Sequence, residues 1–240
     1  MGKTKTKDLD VVYLVSAFPN ADVIYSIRSV VENFEFKRLW IYGGKPGGIQ
    51  PDHYECRKNQ IGATKWDRVR NMYREVCEND EITEDFILFH DDFFVLRPTD
   101  SLEPEYCATL TELAETIEHK QKVVITEYTA LLRRTAGVLQ DGGYSTKAYE
   151  LHKPFIFNRE KMLKILCDYP NEHCIRSIYA NVYNVGGKKA KDVKLADKDA
   201  DHSWIVRNSD FVSTSNDSFT FGHIGRWLRY RFSKPCRYEI

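Results

Sequence analysis

The chain has 240 residues, 42% of them apolar, enough to bury a substantial core in one α/β domain with elaborations. Its 35 lysines and arginines balance 35 aspartates and glutamates, which excludes bulk attraction to nucleic acid or anionic membrane and leaves only local basic surfaces. No run approaches the roughly 18 to 20 apolar residues that cross a bilayer, and the polar lead MGKTKTKDLD lacks a signal-peptide core, so a cytoplasmic location without membrane insertion is expected.

Residues 9–18, LDVVYLVSAF, are rich in β-branched and apolar types and precede Pro19 and Asn20, which reads as a central strand ending near Phe18. From Asp22, the residues Val23, Ile24, Ile27, Val30, Val31 and Phe34 recur at helical spacing, and KRLWIYGG gives a second strand stopped by glycines. A second helix is expected over about 64–78, with Trp66, Val69, Met72, Tyr73 and Val76 on one face and Lys65, Asp67, Arg68 and Arg70 on the other. DFILFHDD follows as a strand. This alternation predicts an α/β fold with a mostly parallel, doubly wound sheet, whose ligands bind beyond the carboxyl ends of the strands.

Past residue 100 the pattern is less regular. Helical spacing covers 104–119 and 127–139, DGG marks a turn at 141–143, and YELHKPFIF reads as extended before a helix from about Asn158. Residues 172–183 read as helical, GGKKAKD as a loop, and the tail FGHIGRWLRYRFSKPCRYEI is basic and aromatic. No internal repeat or low-complexity linker interrupts the chain, so a single domain over 1–240 is expected. Cys56, Cys77, Cys107, Cys167, Cys174 and Cys236 form no CxxC pair, which argues against a zinc site and for reduced, mostly buried thiols.

Asp91 and Asp92 fall at the end of a buried strand. Two adjacent carboxylates repel each other and stay ionised there only with a cation or several hydrogen-bond donors. Magnesium or manganese meets that need and commonly shares its coordination with substrate phosphates. The structural alternative is that one aspartate caps a turn or pairs with Arg97.

The stretch HDDFFVLRP resembles the aspartate motif of GT-A-fold nucleotide-sugar glycosyltransferases, in the strand, acidic pair, aromatic form of phage and bacterial members and of the related capsule-type (Stealth) phosphotransferases. DVVYLV, YSIRSV, LWIYGGKPGG, YELHKPFIFN, RSIYAN, DVKL and KPCRYE resemble, in order, further segments of a phage-borne glycosyltransferase-like family. The resemblance implies a donor nucleotide over the first strand, with a UDP-sugar favoured, a donor half over about 9–100 and an acceptor half over about 101–240. It implies DxD-type aspartates holding a metal against the diphosphate. Here the first position of that motif is His90, which leaves Asp92 as the leading metal ligand and Asp91 as a ribose or metal contact.

Other residues enter by position or by resemblance. Arg28 lies one turn into the first helix, within reach of phosphates or a carboxylate. GGKPGG lacks the P-loop spacing but can bring backbone at Gly43 and Gly44, and Lys45, near the nucleotide. Lys65, Asp67 and Arg68 are donor-side candidates or a solvated face. The resemblance places the family's histidine at His152, as a third metal ligand or an acceptor-side acid or base. Glu150, on the same face of an extended segment, is the alternative base. The resemblance alone sets Asp192 and Lys194 at the acceptor pocket. Asp197, Asp199 and Asp201 mimic calcium-loop spacing, but His202 and Asn208 replace the required glycine and glutamate, so a solvated loop is expected. In the tail, Arg229 and Arg231 suit a phosphate backbone or an amphipathic segment packed over the sheet.

The sequence thus points to a metal-assisted hexosyl- or pentosyltransferase moving a sugar from a nucleoside diphosphate to a hydroxyl. The acceptor is a hydroxymethylated base of phage DNA, a surface glycan or a virion protein. The competing readings are a capsule-type sugar-phosphate transferase and a non-catalytic nucleotide or nucleic-acid binding module.

Overall fold

A computed structural model describes residues 3–16, 21–56, 62, 64–122 and 124–240. Its centre is a five-stranded sheet built from β1 (Asp10–Val15), β2 (Leu39–Gly43), β3 (His53–Cys56), β4 (Asp85–His90) and, at the edge, β6 (Phe155–Asn158), in the order β3-β2-β1-β4-β6. The first four strands run parallel and β6 is antiparallel to β4. β5 (Phe93–Val95) leaves this sheet and joins β8 (Phe211–Thr214) and β7 (Lys194–Leu195) in a three-stranded one.

The alternation of side chains along the strands sorts the core into two layers. Val12, Leu14, Trp40, Tyr42, Phe86 and Leu88 face α2 (Lys65–Glu78) and α5 (Arg159–Asp168) through Met72, Tyr73, Val76, Met162 and Ile165. Val11, Tyr13, Leu39, Ile41, Ile87 and Phe89 face Val23, Ile27 and Val30 of α1 (Asp22–Asn33). Each such fully buried side chain contributes about 1.5–3 kcal/mol, which is why DVVYLV, buried at all six positions, forms the central strand. The second half adds α3 (Leu110–Gln121), α4 (Glu127–Asp141), α6 (Ile175–Val182), α7 (Ser203–Asn208), α8 (Asn216–Thr220) and α9 (His223–Arg231). Among the described residues no helix is long and apolar enough to cross a membrane.

Several expectations shift. The end of the first strand near Phe18 lies outside the described residues, with β1 running to Val15. The helix expected from 104 starts at Leu110, because Thr109 caps it and residues 105–106 pair with 188–189, the latter inside the expected GGKKAKD loop. The extended segment shortens to Phe155–Asn158, since Tyr149 and Glu150 are bonded to the start of α6 instead of to a strand. Glu150 and His152 therefore do not share a strand face. Arg70, expected on the polar side of α2, is buried and donates to the carbonyls of Glu172 (2.8 Å) and Leu166. Cys77 and Cys174 are buried, Cys107 and Cys236 half-buried and Cys167 exposed, all five as free thiols.

The tail closes the carboxyl edge of the sheet. Gln50 N donates to Tyr238 O (2.8 Å) and Ile240 N to Gly48 O (3.0 Å), so residues 238–240 bind the loop after β2. Arg28 grips Glu239 with two parallel bonds of 2.7 and 2.6 Å, a charge-assisted fork that fastens α1 to the same segment.

Candidate functional site

The carboxyl ends of β1 and β4 meet the start of α1 at one edge of the sheet. Asp91 and Asp92 form the turn that carries the chain from β4 into β5, and so from one sheet into the other. Asp92 Oδ2 accepts from Ser213 Oγ (2.8 Å) and from the Lys194 ammonium. Burial alone raises the Asp92 carboxyl, but Lys194, His90 and Ser213 outweigh it and hold the group below the usual carboxylate range. Asp91 has no ion-pair partner among the described residues. Burial, then the charges of Asp22 and Asp92, push it up to about 7. Asp22, the first residue of α1, is buried and pushed up to about 6 by burial and, secondarily, by Asp92. Sequence reading missed Asp22, whose one signal, an acid in the first turn of a helix, is an ordinary response to the helix dipole.

Across His90 lies a second constellation. His152 Nδ1 is 2.7 Å from Asp192 Oδ2, and the His152 amide donates to Asp192 Oδ1 at 3.0 Å. The Asp192 carboxyl, raised by burial, is brought below its ordinary value by the His152 imidazole and amide. A carboxylate can only accept, so Nδ1 carries the proton and Nε2 is left as a base. The pair is open to solvent, 42% and 38% exposed. Arg176, buried, donates to the carbonyls of Leu151 and Lys153 and so clamps both neighbours of His152. Its charge has no carboxylate ion pair among the described residues. His90 stands between the two groups, its ring against Phe93, which in turn meets His152. Burial pushes the His90 imidazole down to about 4, against the pull of Asp92.

The segment KDVKL serves both constellations, because Asp192 reaches His152 and Lys194 reaches Asp92 two residues later. Such i, i+2 spacing puts both groups on one side of an extended chain.

The other candidates divide by place. Gly43 and Gly44 lie at the carboxyl edge, where Gly44 N donates to Ser16 O (3.2 Å). Gly43 has φ 116°, and a Cβ there would sit 1.9 Å from Val15 O, so only glycine fits. Lys45 lies over the Tyr54 ring at 5.6 Å. Asp67 is the partner of Thr64 in a capping box at the start of α2, Arg68 Nε donates to Gly62 O (3.3 Å), and Lys65 covers Trp66. Glu150 caps α6, accepting from Ser177 N (3.1 Å) and Oγ (2.9 Å). Arg28 meets a carboxylate, that of Glu239. Arg229 donates to the carbonyls of Phe219 and Thr220, and Arg231 pairs with Glu32.

Among the described residues no three His, Cys, Asp or Glu side chains converge to hold a metal ion. The donor set does not make a closed metal cage. It does fit an ion that arrives on a diphosphate and takes one or two carboxylates from the protein, as magnesium commonly does. The half-buried, unpaired Asp91 is such a carboxylate.

No family model matches the chain and no curated protein matches it. Among solved structures it is similar to the apo-form glycosyltransferase GlyE of Streptococcus pneumoniae TIGR4, with a TM-score of 0.40 and 10% identity, over 94% of this chain and 60% of that one. The chain thus spans about 60% of that protein's length. At this level of likeness neither the fold family nor the activity of that enzyme transfers to this chain.

Proposed function

We propose that the protein is a nucleotide-sugar-dependent transferase of GT-A-like architecture, acting on a hydroxyl acceptor. The observation that carries the reading is the His152–Asp192 pair set across His90 from the Asp91–Asp92 turn. Nε2 of His152 takes the acceptor hydroxyl proton while Asp192 stabilises the imidazolium that forms. The acceptor oxygen bonds to the anomeric carbon, the bond from that carbon to the diphosphate oxygen breaks, and the nucleoside diphosphate leaves. Lys194 is the protein's own cation at the departing phosphates. Asp91 would hold a magnesium or manganese ion that arrives with the donor, which would supply further charge neutralisation at the diphosphate. The glycine turn at Gly43 and Gly44 is the donor-side wall.

A second reading is favoured by the buried, acid-free charge of Arg176, which like Lys194 acts on His90, two cations suited to the oxygens of a phosphoryl group in transfer. The same base then directs the acceptor oxygen to the β-phosphorus, and a nucleoside monophosphate leaves. Identifying the released nucleotide separates the two. A nucleoside diphosphate supports sugar transfer and a monophosphate supports sugar-phosphate transfer. Binding of donor without release of either supports a non-catalytic module.

A further inference from the structure

Residues 218–238 hold five of the chain's 35 basic residues and none of its 35 acidic ones, which leaves the rest of the chain five charges negative. The segment folds as the end of α8, then α9, then the extended tail. α9 buries Ile224, Leu228 and Phe232 in a cluster with Phe94, Val212 and Phe219. Its opposite stripe, at i, i+3 and i+7, is His223, Arg226 and Tyr230, all exposed. Tyr230 is 84% exposed, far beyond what an aromatic ring gains by packing. Past the helix end, an open groove runs between Tyr230, Arg231, Lys234 and Glu32. Glu32 is taken by Arg231. Arg226 meets only His223 of its own helix, at 2.8 Å, and Lys234 has no ion-pair partner among the described residues.

We propose that this face docks on an anionic lipid surface, holding the protein against a membrane without inserting into it. Free cations around an exposed phenol ring suit the headgroup layer, where basic side chains meet anionic lipids and tyrosine sits at the interface. A nucleic-acid duplex fits less well. Its phosphates have fixed spacing, while Arg229 is turned inward to carbonyls and Arg231 is neutralised, which leaves Arg226 and Lys234 separated by a projecting ring. Fluid headgroups rearrange around charges so placed. Resting on the transferase reading, the consequence is an acceptor carried at a membrane, a glycan rather than DNA.

The test is co-sedimentation of the full chain with vesicles of phosphatidylcholine alone or with about 30% phosphatidylglycerol, beside anisotropy with duplex DNA. The triple variant Arg226→Gln, Tyr230→Ser, Lys234→Gln is compared with wild type, and thermal melts confirm that it folds. Docking predicts binding only to the anionic vesicles, weakened roughly tenfold or more by high salt and by the triple substitution, with nucleotide binding unchanged. No binding to anionic vesicles, equal binding to neutral ones, or tighter binding to DNA lost in the triple variant overturns it. Nucleotide turnover is read separately, so failure of the transferase reading leaves vesicle binding interpretable.

Discussion

Asp192 holds His152 twice, by a 2.7 Å contact to the ring Nδ1 and a 3.0 Å bond to the backbone amide, so one carboxylate sets both the tautomer and the position of the imidazole. Asp192→Asn keeps the shape but lets the ring present its proton at Nε2. Turnover is expected to fall about 10²–10⁴-fold, with little change in donor affinity. Asp192→Asn combined with His152→Ala should cost no more than His152→Ala alone, because the two act as a unit. Steady-state kinetics of the three variants check this, and additive losses would dissolve the pair.

The carboxyl of Asp91, pushed up to about 7, makes a stability statement. Its folded value lies above the ordinary 3.8, so the folded state binds the extra proton. Stability from this group is full below about pH 4 and is lost as pH rises towards 7. Asp91→Asn is expected to raise metal-free stability at pH 8 by on the order of 2 kcal/mol, several degrees in Tm, and to leave it unchanged near pH 4. Melts across that range give the answer.

Glu239 behaves oppositely. Arg28 and the Cys236 amide hold its carboxyl below the ordinary value, so its contribution is present above about pH 4.5 and is lost as pH falls further. Because the same segment binds residues 48–50, Arg28→Met is expected to raise the donor KM more than it lowers kcat, at a stability cost of about 1–3 kcal/mol. The reversal Arg28→Glu with Glu239→Arg should recover part of the KM. An unchanged KM would reduce the strap to a surface detail.

Arg176 fills the carbonyls on either side of His152. Both bonds leave one guanidinium nitrogen, Nη1; Arg176→Met removes them, and activity is expected to fall about 10–100-fold while the fold persists. A crystal structure or amide-exchange measurement of the variant should show the 151–153 loop displaced or less protected.

Much of the scaffold was legible in the sequence, because its signals are local. DVVYLV is β-branched and apolar throughout, α2 begins at a Thr64–Asp67 capping box, and Asn158 caps α5 where the expected helix starts. The site was legible only as separate parts. Asp92 and Lys194 are 102 residues apart and His152 and Asp192 are 40 apart, so no local pattern joins them. Arg70 looked solvated because its partners are carbonyls near residues 166 and 172, invisible to helix periodicity. Glu150 looked like a base until the start of α6 claimed it.

The most direct measurement is equilibrium binding of nucleoside diphosphates, with magnesium, manganese or chelator, to wild type, Asp91→Asn and His152→Ala. The arrangement predicts metal-enhanced binding that is weakened about tenfold or more in Asp91→Asn and kept in His152→Ala, since Asp91 serves the metal diphosphate and His152 the acceptor. Equal metal-enhanced binding by wild type and Asp91→Asn, or none by either, would contradict it.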